Sequence, residues 1–209
     1  GNIRTFSIGF EADTHSELPY ATAVAQHLET DHCAEIVSTE EARLLPDILA
    51  RFDEPFADSS AIPTYFVSRL AREHVTVVLT GDGGDELFAG YDYIKSLDPE
   101  KLPDELIDIT GRLHNTALQR VDRSSAAHGT VAHVGFLDPV VVDYALRIPP
   151  ELKLHNGVEK WILRRAMDGL LPESVLDRTK AKFWDGAGVG EQLSYYAEEH
   201  VSDDAFRRE

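Results

Sequence analysis

The stretch that most constrains this chain is an apolar run, Val75 to Leu79, ending abruptly in Thr80-Gly81-Asp82-Gly83-Gly84-Asp85-Glu86. A short apolar run bounded by turn residues is the pattern of a strand buried on both faces. Such a strand needs helices above and below it, and the preceding residues supply them. Thr5 to Phe10 alternates and is rich in strand formers, and His32 to Val37 reads as a second short strand. Ser16 to Leu28 has apolar residues at helical spacing, with Ser16 as its N-cap. A further helix opens at Thr39-Glu40-Glu41-Ala42, capped by Ser38 or Thr39, with Pro46 delaying or bending it. Asp53 to Ser60 is a loop. Ile62 to His74 is a strong helix with Pro63 in its first turn, where a missing N–H costs nothing. Alternating strands and helices imply a parallel sheet with helices on both faces, so the fold class is α/β.

The second half reads differently. Pro103 to Ala127 is long and helical, broken or bent near Gly111. Pro139 to Arg147, Glu159 to Leu170, Pro172 to Asp177 and Glu191 to Val201 are helical, and Val131 to Phe136 is the one candidate strand after residue 80. The expected organisation is an α/β part over 1–95 followed by a mainly helical part over 96–209.

Charge narrows the function. The chain has 209 residues with 20 Lys+Arg against 37 Asp+Glu, a net charge of −17. That sign opposes a bulk nucleic-acid ligand and an anionic membrane surface. No apolar run approaches the ~18 residues of a membrane helix. The charge is uneven: residues 112–182 hold 11 Lys+Arg and 8 Asp+Glu, a local excess of cations that includes Arg123, Lys160 and Lys180. The single cysteine, Cys33, excludes an intrachain disulfide, reads as a small buried apolar residue, and favours a reducing, cytoplasmic setting.

The chemistry is expected where the apolar strand ends. In parallel sheets, ligands bind beyond the carboxyl ends of the strands. Gly81, Gly83 and Gly84 let the backbone approach a ligand and adopt positive φ, and the helix start that follows can turn N–H groups toward an anion. Asp82, Asp85 and Glu86 crowd carboxylates beside that phosphate position, which calls for a cation; hard oxygen ligands suit Mg²⁺. An EF-hand is excluded, because its ligand periodicity and closing Glu are absent. The nine histidines show no metal-ligand spacing. A second cluster, Arg178-Thr179-Lys180-Ala181-Lys182-Phe183-Trp184, packs three cations into five positions; taken alone it is a basic surface turn.

Several blocks occur in one order: Thr5-Phe6-Ser7-Ile8-Gly9-Phe10, Asp53-Glu54-Pro55-Phe56-Ala57-Asp58, Ile62-Pro63-Thr64-Tyr65, Gly81 through Tyr91, Asp122-Arg123, Phe136-Leu137-Asp138, Trp161-Ile162-Leu163-Arg164 and Lys180 through Gly188. In these blocks the chain resembles the synthetase domain of glutamine-dependent asparagine synthetases, over essentially its whole length. The resemblance implies an adenine-nucleotide α-hydrolase-like sheet and an ATP pyrophosphatase. Such an enzyme adenylates the side-chain carboxylate of aspartate, releases pyrophosphate, and lets ammonia displace AMP. It also implies roles. Ile8 contacts the nucleotide base through its backbone. Thr80 and Gly81 contact the nucleotide, and Gly83 belongs with them as a cofactor-binding position. Asp85 is a Mg²⁺ ligand, joined by Glu86. Asp82 acts in forming or consuming the acyl-adenylate, and Lys180 stabilises the transition state and its leaving pyrophosphate.

The chain departs from that pattern in three places. The pyrophosphate loop Ser-Gly-Gly-x-Asp-Ser, expected roughly 25 residues before Phe6 by the resemblance, is absent, and so is a Cys-initiated glutaminase domain. The start therefore reads as cut, and so does the end, because the chain stops at Arg207-Arg208-Glu209 inside an apparent helix. Ammonia would come from a glutaminase domain outside this chain, and the chain alone is expected to be inactive or nearly so. After Gly129, Val131, His133 and Gly135 stand where the family carries Glu, Arg and Pro; His133 reads as a hydrogen-bonded core or pocket histidine. The expected partners are aspartate or a similar carboxylate, ATP with Mg²⁺, and a second copy in a homodimer, with no nucleic acid and no membrane. Two rival readings remain: a β-lactam-synthetase-like cyclase, against which Asp82 counts because those relatives carry Tyr there, and a non-catalytic nucleotide-binding homologue.

Overall fold

The computed structural model describes residues 3–11 and 16–178. It is a mixed α/β fold whose strands are all parallel. Strand β1 (Arg4–Phe10) pairs with β2 (Asp31–Val37), Ile8 lying opposite Glu35. Helix α1 (Leu18–His27) makes the crossover between them. Its N-cap is Glu17 and not Ser16, which lies one residue earlier with its Oγ accepting from the Leu18 N–H at 3.3 Å. A 3₁₀ segment, Thr39–Leu44, leads into a short α2 (Leu45–Leu49) with Pro46 in its first turn. Helix α3 (Ala61–Arg72) then leads to β3 (Val77–Thr80) and a four-residue α4 (Gly84–Leu87).

The predicted long helix is two helices, α5 (Leu102–Gly111) and α6 (Ala117–Ala126), with the 3₁₀ turn Leu113–Asn115 between them. Strand β4 (Val131–Val134) follows and pairs with β3, Thr80 opposite Val134. The remaining described elements are α7 (Pro139–Arg147), α8 (Pro150–Lys153), α9 (Trp161–Ala166) and α10 (Glu173–Leu176). The segment predicted helical over Glu191 to Val201 lies outside the described residues.

Helices cover both faces of β1–β2, as the alternation of its side chains requires. Phe10 points into a core with Val37, Ile48, Phe52, Ala61, Ile62 and Phe66, and Ile8 packs partly buried against it. The Phe10 and Phe66 rings meet edge-to-face with centroids 6.3 Å apart. The odd-numbered residues of β1 face α1, which leaves Ile36 on the same face of β2 64% exposed. A Cβ on Gly9 would lie 2.6 Å from Leu18 Cδ1, so glycine lets α1 start close against the strand. Helix α3 also packs on α6, which in turn packs on β4, and this helical layer ties the two strand pairs together.

Four expectations need correction. The strands form two parallel pairs rather than one sheet, because no described strand bridges β1–β2 and β3–β4. Strand β3 is not buried on both faces: Val77 is 52% and Leu79 81% exposed, since no described helix covers that face. Residue His133 is not a core histidine. It is exposed on the same face as Leu79, its register partner. Cys33 is also less buried than expected and sits with Sγ 3.6 Å from His74 Nε2.

Candidate functional site

The turn that leaves β3 gathers most of the predicted site residues, and remote elements hold them in place. Thr80 ends the strand, and its Oγ1 is buried without a hydrogen-bond partner among the described residues. Gly81 then opens the turn, and a Cβ there would project into open space. Gly83 has φ +93° and would put a Cβ 2.5 Å from Leu137 Cδ2, so both conformation and space demand glycine. Leu137 belongs to the Phe136-Leu137-Asp138 block, which supports the turn from beneath. The ring of Phe136 meets Phe88 at 6.0 Å, and Asp138 caps α7 by accepting from the Val140 N–H at 2.9 Å.

The carboxylates of the turn do not converge on one point. Asp82 pairs with Arg120 of α6 at 2.9 Å, both side chains mostly buried. The same guanidinium also binds Asp58, whose other oxygen accepts from the Ser60 N–H at 2.9 Å. Arg120 thus fastens the Asp53–Ser60 loop to the turn. Asp85 pairs with Lys160 at 2.9 Å. Glu86 is 5% exposed and accepts from the Tyr91 hydroxyl. Burial, then the Glu86 hydrogen bond, then the charges of Glu86 and Asp85 push the Tyr91 phenol well above its ordinary pKa, while Arg120 opposes them.

Two positions complete the frame. A Cβ on Gly90 would lie 1.9 Å from Asp85 Oδ1 and 2.4 Å from Lys160 Cε, so Asp85 and Lys160 meet across a missing side chain. Next to Lys160, Glu159 is 3% exposed and is paired with Lys95 at 3.0 Å and Arg164 at 2.6 Å. Burial pushes the Glu159 carboxyl up, but hydrogen bonds from its own backbone and Lys95 and the nearby cations outweigh it, so its pKa falls. Arg164 in turn donates to the carbonyls of Leu176 and Arg178. Arg178 reaches Glu17 at 2.6 Å and lies over the Tyr20 ring.

The sequence marks the turn but not which cations meet it; Lys160 stands out only as part of the cationic stretch over 112–182. Arg120 and the Lys160–Asp85 pair gave no local signal, because their carboxylate partners lie far away along the chain. Tyr91 was visible only as part of a block. Ile8 sits on β1 against the first core and makes no contact with the turn that the structure records. Lys180 lies outside the described residues, as does the rest of the basic cluster beyond Arg178. A separate cleft of about 370 Å³ lies between α1 and the odd face of β1–β2, lined by Thr5, Ser7, Tyr20, Val24, His32 and Arg178 among others. None of the predicted site residues among the described residues lines it.

Among the described residues, no three His, Cys, Asp or Glu side chains are grouped to hold a metal ion. A dedicated all-protein cage is thus not what this turn offers. Mg²⁺ is commonly held by one or two carboxylates while phosphate oxygens and water complete its shell, and Asp85 fits that arrangement. The orphaned Thr80 hydroxyl and the open space at Gly81 fit a nucleotide lying beside the turn.

Comparison with known proteins agrees with the blocks read from the sequence. A family profile described as Asparagine synthase matches residues 1–108 and 99–209. The chain is 30% identical over 266 residues to glutamine-hydrolyzing asparagine synthetase 1 of Bacillus subtilis, an alignment covering 87% of this chain and 42% of that protein. It is 32% identical over 193 residues to the glutamine-hydrolyzing asparagine synthetase of Homo sapiens (88% and 34%), and 33% identical to that of Gallus gallus over the same length. The chain therefore spans less than half the length of these relatives. Its profile match runs from end to end, and the chain belongs to the asparagine synthase family.

Proposed function

We propose that the turn from Thr80 to Gly90 binds Mg-ATP and serves ATP-dependent amide formation on aspartate. In this reaction a side-chain carboxylate oxygen bonds to the α-phosphorus of ATP as the bond to pyrophosphate breaks. The nitrogen of ammonia then bonds to the acyl carbon, and AMP leaves. Ammonia comes from glutamine through a domain outside this chain, in keeping with the glutamine-hydrolyzing relatives. The reading places the protein in the cytoplasm, acting on small molecules, as a homodimer.

The residues divide the work. Thr80 and Gly81 contact the nucleotide, and Gly83 shapes the turn that admits it. Asp82, steadied by Arg120, faces the carboxylate that is activated. Asp85 holds Mg²⁺, which offsets charge on the phosphates when bound. Lys180 meets charge that grows on the phosphoryl group in the transition state. Glu86, buried against Tyr91, shapes the turn from inside and is the weakest of the predicted ligands. The observation that carries the reading is that Asp82 and Asp85, on one glycine-rich turn, are each held by a separate cation from a distant element.

Isothermal titration of Mg-ATP into the protein and its Asp85→Ala variant tests the site. The variant should lose at least about tenfold in affinity, since a charge-assisted ligand is removed. Unchanged affinity would show that the nucleotide binds elsewhere. The product is tested by supplying the family-length protein with aspartate, ammonia and Mg-ATP. Asparagine and AMP should appear in equal amounts, whereas AMP without asparagine would favour an internal amine acceptor, as in a ring-closing relative.

A further inference from the structure

Lys160 is held in an unusual posture. Its backbone is left-handed, with φ 52°, a conformation that costs a residue with a side chain energy. Its N–H donates to the Phe88 carbonyl at 3.0 Å, which docks the start of α9 on the end of the turn. From there the side chain passes over Gly90 and places Nζ 2.9 Å from Asp85 Oδ1. Any side chain at position 90 would block that path. Both partners keep a little over a quarter of their side-chain surface in water, but Asp85 Oδ1 itself is buried, so the contact opens only as another cation takes the place of the ammonium.

From this geometry we propose that Lys160 is a built-in stand-in for the metal ion. It neutralises Asp85 while the site is empty and yields that oxygen to Mg²⁺ when the metal enters with the nucleotide. The inference rests on the reading of Asp85 as the metal carboxylate. Two cations cannot share one carboxylate oxygen at contact distance without strong repulsion. The ammonium must therefore leave Oδ1 as the metal arrives, and its flexible four-carbon stem lets it do so. The freed ammonium then stands beside the phosphates that arrive with the metal. The device has two consequences. Metal alone binds weakly, because it must displace a resident cation. Metal with nucleotide binds well, because the displaced cation gains a new anionic partner.

The test uses Mn²⁺ without nucleotide, read by paramagnetic broadening of the amide resonances of Gly83 to Gly90 in the full chain. This local readout separates the turn from diffuse binding to other carboxylates. Lys160→Met should bind Mn²⁺ at the turn about tenfold more tightly than the parent, and Lys160→Arg should match the parent. Lys160→Gln serves in place of Lys160→Met should the latter not fold, which thermal unfolding shows directly. Equal or weaker Mn²⁺ affinity in the neutral variant overturns the proposal. Asp85→Asn separates the two levels of the argument: it should abolish broadening at the turn. Retained broadening in Asp85→Asn would remove the metal assignment itself, whereas lost broadening there with no gain in the neutral Lys160 variant would remove only the stand-in.

Discussion

Gly90 lacks a side chain because two other side chains occupy its place. Gly90→Ala should force Asp85 and Lys160 apart, destabilise the fold by about 1–3 kcal/mol as overpacking does, and weaken Mg-ATP binding. Urea unfolding and calorimetry on one sample check both effects. A second residue carries its own cost. Lys153 is 2% exposed, and burial pulls its pKa from 10.5 down to about 8. Below about pH 8 it is charged in both folded and unfolded chains, and the full burial penalty applies. As pH rises from about 8 toward 10.5, the folded form sheds the proton first, so stability rises with pH in that window. Lys153→Met should therefore be more stable than the parent at pH 7, by about 2 kcal/mol, and the gap should narrow by about pH 10 in chemical denaturation. At this scale the sequence was half legible. Asp82 and Asp85 announce themselves through the glycines around them. Arg120 and Lys160 do not, because an ion pair between distant elements leaves no local pattern.

Helix α3 was readable because Ile62, Phe66 and Leu70 recur at helical spacing, and all three are buried. Phe66 is 1% exposed and touches Phe10, Tyr65 and the Arg69 guanidinium. Phe66→Ala should cost about 3–5 kcal/mol, measured as a lowered urea midpoint with an unchanged slope. Arg69 reaches back from α3 to Glu35 on β2 and Glu41 before α2, both at 2.9 Å, and so joins three elements. The hydrogen bond to Glu41 is the main reason its pKa rises. Other elements were misjudged for physical reasons. The pattern over Pro103 to Ala127 is not among them: the break expected near Gly111 is there, filled by the 3₁₀ turn Leu113–Asn115, which buries Leu113. Strand β3 is apolar throughout, yet no described element covers one of its faces, since periodicity reports side-chain character and not what lies opposite.

The whole molecule carries −17 over 209 residues, so its compact form works against its own field. Raising salt from about 10 mM to about 150 mM shortens the screening length from about 30 Å to about 8 Å. The melting temperature should rise by a few degrees over that range, as differential scanning fluorimetry can show. A fall would mean that the ion pairs around the Thr80–Gly90 turn outweigh the general repulsion. The pairing of β3 with β4 bears on how such a chain is made. Its partners are separated by three helices, so Thr80 leaves the ribosome well before Val134 exists. At about 5–20 residues per second, that interval is roughly 3–10 s. Throughout it, Val77 and Leu79 form an unpaired apolar edge, open to any passing strand. The nascent segment that ends in the Thr80–Gly90 turn therefore gains from a chaperone's shelter during synthesis.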